Sequence, residues 1–126
     1  MWLSLPTRSQ TAVIGCGIRV HRALGPGLFE SAYSQCLADE LASANLSYRR
    51  QVRLSLDYRG RRILKAFVAD FIVENTVLIE LKCVTTILPI HRAQVLTYLR
   101  LSGLRKGLIM NFNTLRLKDG IMSIVR

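Results

Sequence analysis

The sequence predicts a mixed α/β fold in which helices flank one central β-sheet, with the elements in the order ααβββαββ. Three observations carry that prediction. Apolar residues recur at helical spacing before Ser47 and at a spacing of two after it, and a single proline-led helical stretch from Pro89 interrupts the strands.

TAVIGCGIRVHRAL (11–24) sets Val13, Gly17, Val20 and Leu24 on one helical stripe, and GPG at 25–27 breaks the chain. In LFESAYSQCLADELASANL (28–46), Leu28, Ala32, Cys36, Leu37, Glu40 and Leu41 give a second, mostly apolar face, with Asn45 as its stop. These two helices form a hairpin. Val52, Leu54 and Leu56 then alternate with Arg53, Ser55 and Asp57, and YRG at 58–60 supplies a strand turn. The runs Ile63–Val73 and Val77–Val84 read as central strands buried on both faces, joined through Glu74, Asn75 and Thr76. In PIHRAQVLTYLRLSG, Pro89 opens a helix whose Ala93, Val95, Leu96 and Leu99 face the core and which Gly103 ends. GLIMNF and, beyond a DG turn, a short terminal strand complete the set.

At 126 residues the chain fits one domain, expected over 1–126, long enough to bury about two-thirds of its unfolded surface. Half the residues are hydrophobic and about a fifth charged, which argues against disordered and fibrous classes. Cys16, Cys36 and Cys83 are widely spaced, without a CxxC pair or a histidine at zinc spacing, so neither a disulfide framework nor structural zinc is expected. MWLSLPTRSQ lacks the basic n-region of a secretory leader, and no apolar run approaches a membrane span. The expected setting is soluble and cytoplasmic, with no membrane partner.

Charge points to a partner. Lys and Arg number 18 against 8 Asp and Glu, a formal net charge of +10, so a polyanion is expected. The densest stretch, YRRQVRLSLDYRGRRILK, contains Arg49, Arg50, Arg53, Arg59, Arg61, Arg62 and Lys65. Guanidinium groups suit phosphate, and Arg59, Arg61, Arg62 and Lys65 are the candidate nucleic-acid contacts. A merely solvated strand face is the alternative.

Residues 66–84, AFVADFIVENTVLIELKCV, place Asp70, Glu80 and Lys82 among apolar neighbours. An unpaired buried carboxylate costs several kcal/mol, so the charges need partners. Glu80 and Lys82, two apart, share a strand face. If Val73 pairs with Val77, Asp70 falls opposite Glu80, with Cβ atoms roughly 5 Å apart; a two-residue loop would instead set it opposite Ile79. Two such carboxylates repel unless a divalent cation joins them, and oxygen ligands suit Mg²⁺ or Mn²⁺. Lys82 would orient or help deprotonate a water, or neutralise a phosphate in the transition state. A satisfied ion cluster is the competing reading.

Asp70-x9-Glu80-x-Lys82 on adjacent strands resembles the signature of the PD-(D/E)XK nuclease superfamily. GLFESAY (27–33), the surrounding VHRALGPGLFESAY and the later NFNTLRLKDGI are similar to the text of its GxxExxY family, over nearly the whole chain. The resemblance implies a restriction-endonuclease-like core and metal-dependent cleavage of nucleic acid, DNA being the expected substrate. It implies Asp70, Glu80 and Glu30 as metal ligands, the Leu81 backbone carbonyl as a further one, and Lys82 as the catalytic lysine. Gln94 and Tyr98, four apart on a helix, match a QxxxY element that holds DNA near the metal. Without the resemblance, Glu30 reads as a favourable charge in a helix's first turn, Tyr33 and Tyr98 as core aromatics, and His21 as structural. The chain departs from the usual IGAAIEVH with IGCGIRVH, so Arg19 replaces a glutamate and Gly17 costs its helix about 1 kcal/mol against alanine. A non-catalytic nucleic-acid-binding module, a subunit needing a protein partner or a second copy of itself, and an interaction domain are the alternatives.

Overall fold

A computed structural model describes residues 7–126; residues 1–6, within the domain expected over 1–126, lie outside it. Helix α1 (Arg8–Leu24) starts earlier than the apolar stripe suggests, because Thr7 and Gln10 form a capping box. Thr7 Oγ1 accepts the Gln10 amide at 3.1 Å and Gln10 Oε1 accepts the Thr7 amide at 2.9 Å. Helix α2 (Glu30–Ser43) stops at Asn45, which has φ +58°, and the Leu46 amide closes back onto Leu41 O. Its buried face is Tyr33, Ser34, Leu37, Ala38 and Leu41. Leu28, expected on that face, precedes the helix and is exposed.

Strands β1 (Tyr48–Tyr58) and β2 (Arg61–Val73) form a long hairpin closed by Arg59 and Gly60, both at positive φ, the geometry that suits a two-residue turn. Strand β3 (Val77–Lys82) follows, then α3 (Pro89–Ser102), β4 (Lys106–Asn111), one 3₁₀ turn (Leu117–Gly120) where a DG turn was expected, and β5 (Ile121–Val125). The five strands lie in sequence order in one mixed sheet. Only β3 and β4 are parallel, joined by the α3 crossover.

Two apolar cores result. Helices α1 and α2 pack Val13, Cys16, Tyr33 and Leu37 against Phe71, Ile79, Leu81 and Met110. On the other face α3 packs Val95, Tyr98 and Leu99 against Ala69, Leu78 and Ile109. Ala93 and Leu96, expected in that core, are exposed. β3 is buried on both faces as expected, but β2 is buried only from Ala69 onward, so its first half corrects the sequence reading.

Gly17 and Arg19 each have a physical role. A Cβ on Gly17 would stand 2.9 Å from Leu117 Cδ2 and 3.1 Å from Met110 Sδ; glycine here lets the core close. Arg19 Nε donates to Glu40 Oε1 at 2.7 Å, tying α1 to α2, while its Nη2 donates to Cys16 Sγ within α1 at 3.3 Å.

Candidate metal centre at a split in the sheet

The β2–β3 ladder runs Val73↔Val77, Ile72↔Leu78, Phe71↔Ile79 and ends there. The three-residue connection sets Asp70 opposite Glu80, the first of the two registers considered. Side-chain alternation then breaks. Phe71 and Val73 belong to the α1/α2 core, whereas Ala69, two residues from Phe71, belongs to the α3 core. On β1, Gln51, which faces Asp70 between the pairs Arg50↔Phe71 and Val52↔Ala69, has φ +51°, a strained conformation for a residue with a side chain. The hairpin therefore turns over at Gln51 and Asp70, and β2 leaves β3.

Carboxylates fill the gap. Asp70 N donates to Glu80 Oε1 at 2.8 Å, and Leu81 N donates to Asp70 Oδ2 at 2.8 Å. Two side chains thus satisfy amides that the ladder has abandoned, which is how these acids are tolerated in an apolar region. Asp70 Oδ1 and Glu80 Oε2 have no hydrogen bond to the described residues. Because no buried side-chain polar atom among those residues lacks a partner, both oxygens are accessible. Lys82 O accepts the Phe112 amide on the β4 side, so the neighbouring Leu81 N–H and C=O point the other way, into the gap.

Electrostatics binds the group together. Glu80 is only 5% exposed, and desolvation followed by the Asp70 charge pushes its pKa up to about 8. Desolvation also raises Asp70, opposed by the Leu81 amide and then by the charges of Lys82 and Arg50. Glu30, the first residue of α2, is raised by desolvation and by Asp70. Lys82 lowers all three carboxylates yet makes no salt bridge within 4.0 Å to them, so a closed ion cluster does not form.

This donor set suits an oxygen-seeking divalent cation: two accessible carboxylate oxygens and a backbone carbonyl belong to one break in the sheet, where burial disfavours the carboxylates' negative charge. The expected third carboxylate, Glu30, stands farther off. Among the described residues no three acidic, histidine or cysteine side chains converge closely enough to hold one ion; Glu30 lies within electrostatic reach but outside such a cluster.

The GxxExxY residues act locally as a stapled loop. Gly27 has φ +94°, Glu30 begins the helix, and buried Tyr33 donates its hydroxyl to Gly25 O and accepts the Leu28 amide at 3.2 Å. The Tyr33 ring stacks on Phe112 with centroids 4.5 Å apart. His21 is structural, with Nε2 2.8 Å from Thr114 O. Tyr98 is buried against Phe67 and feels Glu80 and Asp70, whereas Gln94, one turn earlier, is exposed. Arg59, Arg61, Arg62 and Lys65 are all exposed, at or near the hairpin tip.

Two residues here escaped the sequence reading. Buried Asn111 locks the chain beyond Lys82, accepting the Val84 amide at 3.1 Å and donating to Val84 O at 2.9 Å. Arg50 stands beside Asp70, where no spacing rule marked it among its neighbouring arginines.

A family model for the PD-(D/E)XK nuclease superfamily matches residues 7–124, and the chain belongs to that superfamily. Among curated proteins there is no match. A solved structure, "Crystal structure of SSO0001", is similar over 100% of this chain and 70% of its own, at 19% identity and a TM-score of 0.49. No helix among the described residues is long and apolar enough to cross a membrane.

Proposed function

We propose that this protein is a nuclease of the GxxExxY family that hydrolyses phosphodiester bonds in nucleic acid, DNA in particular, with Mg²⁺ or Mn²⁺. The observation that carries the reading is the split itself. Asp70 and Glu80 each give one oxygen to a stranded amide and keep one accessible, with Lys82 unpaired within electrostatic reach. Superfamily membership supports the same chemistry.

Asp70, Glu80 and the Leu81 carbonyl would hold the cation, with Glu30 approaching from α2. The cation, when bound, supplies Lewis acidity at phosphorus and lowers the pKa of an attacking water. The chain does the rest. Lys82, free of a carboxylate partner, offsets charge on the phosphate or orients the water. Tyr98 and Gln94 hold the substrate from α3, and Arg59, Arg61, Arg62 and Lys65 bind backbone farther along.

That no three acidic, histidine or cysteine side chains converge among the described residues favours a second reading, in which the same fold binds nucleic acid and needs a protein partner or a second copy to complete the centre. Incubating single strands, duplexes and RNA with Mg²⁺ or Mn²⁺ separates the two. Cleavage by wild type and its loss in Lys82→Ala is the expected result; substrates left intact by pure wild type would sink the enzyme reading for the isolated chain.

A further inference from the structure

Arg50 has a different setting from the exposed arginines of the hairpin tip. Its Nη2 donates to Ser34 Oγ at 2.8 Å, and its guanidinium carbon stands 5.6 Å over the Phe71 ring. Ser34 is itself only 8% exposed, so the brace is anchored in α2. Neither Asp70 nor Glu30 forms a salt bridge with Arg50 within 4.0 Å. Among the described residues Ser34 Oγ is the one hydrogen-bond acceptor it meets, so most of the fork's five donors are free.

Arg50 shares a cavity of about 260 Å³ with Asp70, Glu30 and Leu81, and Ser31 and Gln35 line it too. That volume is below the roughly 300–1,000 Å³ of pockets for drug-sized ligands, and Arg50, Ser31 and Gln35 give it donors for phosphate oxygens, set against the carboxylates of Asp70 and Glu30 that also line it. A guanidinium already held by a hydroxyl and an aromatic face loses little freedom when it binds.

We infer that Arg50, with Ser31 and Gln35 beside it, forms a subsite for the backbone phosphate next to the one being cut. This rests on the nuclease reading, but its first test does not require cleavage. In a Lys82→Ala background, binding to a single-stranded oligonucleotide is measured against salt. Arg50→Gln lowers the slope of log affinity by about 0.7, one phosphate contact on a single strand. Arg19→Gln, the same charge change on α1, leaves it unchanged. Ser34→Ala keeps the slope while affinity falls, since the charge remains but its brace is gone. An Arg50→Gln slope equal to that of the parent, or matched by Arg19→Gln, overturns the subsite; equal melting temperatures exclude misfolding as the cause.

A second arm locates the phosphate. A dinucleoside monophosphate contains only the bond to be cut, so Arg50→Gln raises KM several-fold more for a trinucleotide than for the dinucleoside monophosphate, while any change in kcat that comes through Asp70 is common to both. Equal loss on both substrates would place Arg50 on the scissile phosphate and overturn the neighbouring-phosphate assignment. If wild type cuts neither these short substrates nor longer strands, duplexes and RNA, the nuclease reading fails while the salt-slope arm still decides whether Arg50 takes a phosphate.

Discussion

The β1–β2 hairpin carries arginines at both ends, and the two ends differ. At its base, Arg50 is held by Ser34 and Phe71 beside two acids that β2 and β3 have released from their ladder. At its tip, Arg59 lies 5.4 Å over exposed Tyr58, and Arg62 stands 3.6 Å from exposed Asp57. Such a surface pair is worth about 0–1 kcal/mol. The strand from Arg50 to Tyr58 covers roughly 26 Å at about 3.3 Å per residue, so the two ends cannot serve the same phosphate. Identical chemistry gives a fixed contact where neighbours hold it and a diffuse attraction where they do not.

The largest effects belong at the base. Asp70→Ala or Glu80→Ala should cut metal-dependent cleavage by at least about 10²–10³-fold, the scale of losing one preorganised charge-stabilising group, while binding holds or strengthens. A fall in binding that tracks the fall in rate would make these acids structural and erase the contrast with the tip.

Stability against pH comes next. Glu80's folded pKa of about 8 lies above its unfolded value near 4.3, so the folded chain binds more protons between those limits. Metal-free stability should therefore fall as pH rises from about 4.3 to about 8, by a few kcal/mol at 1.36 kcal/mol per unit, and then level off. Mg²⁺, which favours the ionised acids, should stabilise the protein more at pH 8 than at pH 5. Denaturant midpoints of wild type and Glu80→Gln measure this; parallel pH curves would show that Glu80 is not the group responsible.

Smaller effects belong at the tip. Arg59, Arg61 and Arg62 replaced together by glutamine should weaken duplex binding for all sequences alike and flatten the salt slope by up to about 0.9 per lost contact. An unchanged slope would mean that the tip touches no phosphate. Each of the three changes made alone should alter folding stability by less than about 0.5 kcal/mol, as exposed substitutions usually do; a larger loss in thermal melts would show that the tip is built more like the base.

The sequence makes legible what depends on periodicity and turns: the helical hairpin, the strand order and the turn at 58–60; it narrows the β2–β3 register to two, of which the structure takes the one that sets Asp70 opposite Glu80. What it hides is the reversal of alternation at Gln51 and Asp70, because a period-two pattern assumes that a strand keeps its faces. Arg50 stays hidden for that reason, as one basic residue in a basic run. The helical faces are misread at Leu28, Ala93 and Leu96, which are exposed, and at Ser34, which is buried in spite of its hydroxyl. Tyr33 is buried with its hydroxyl stapling the loop before Glu30, a hydrogen-bonding duty that hydropathy does not encode.

The two rescued amides have a spectroscopic consequence. An amide proton hydrogen-bonded to a carboxylate changes its resonance position when that acceptor gains a proton or meets a cation. Asp70's amide reports on Glu80, and Leu81's amide reports on Asp70. In a ¹H–¹⁵N spectrum the pair forms a crossed readout of the centre, each carboxylate followed through a peak belonging to another residue, with no label on the substrate and no turnover needed.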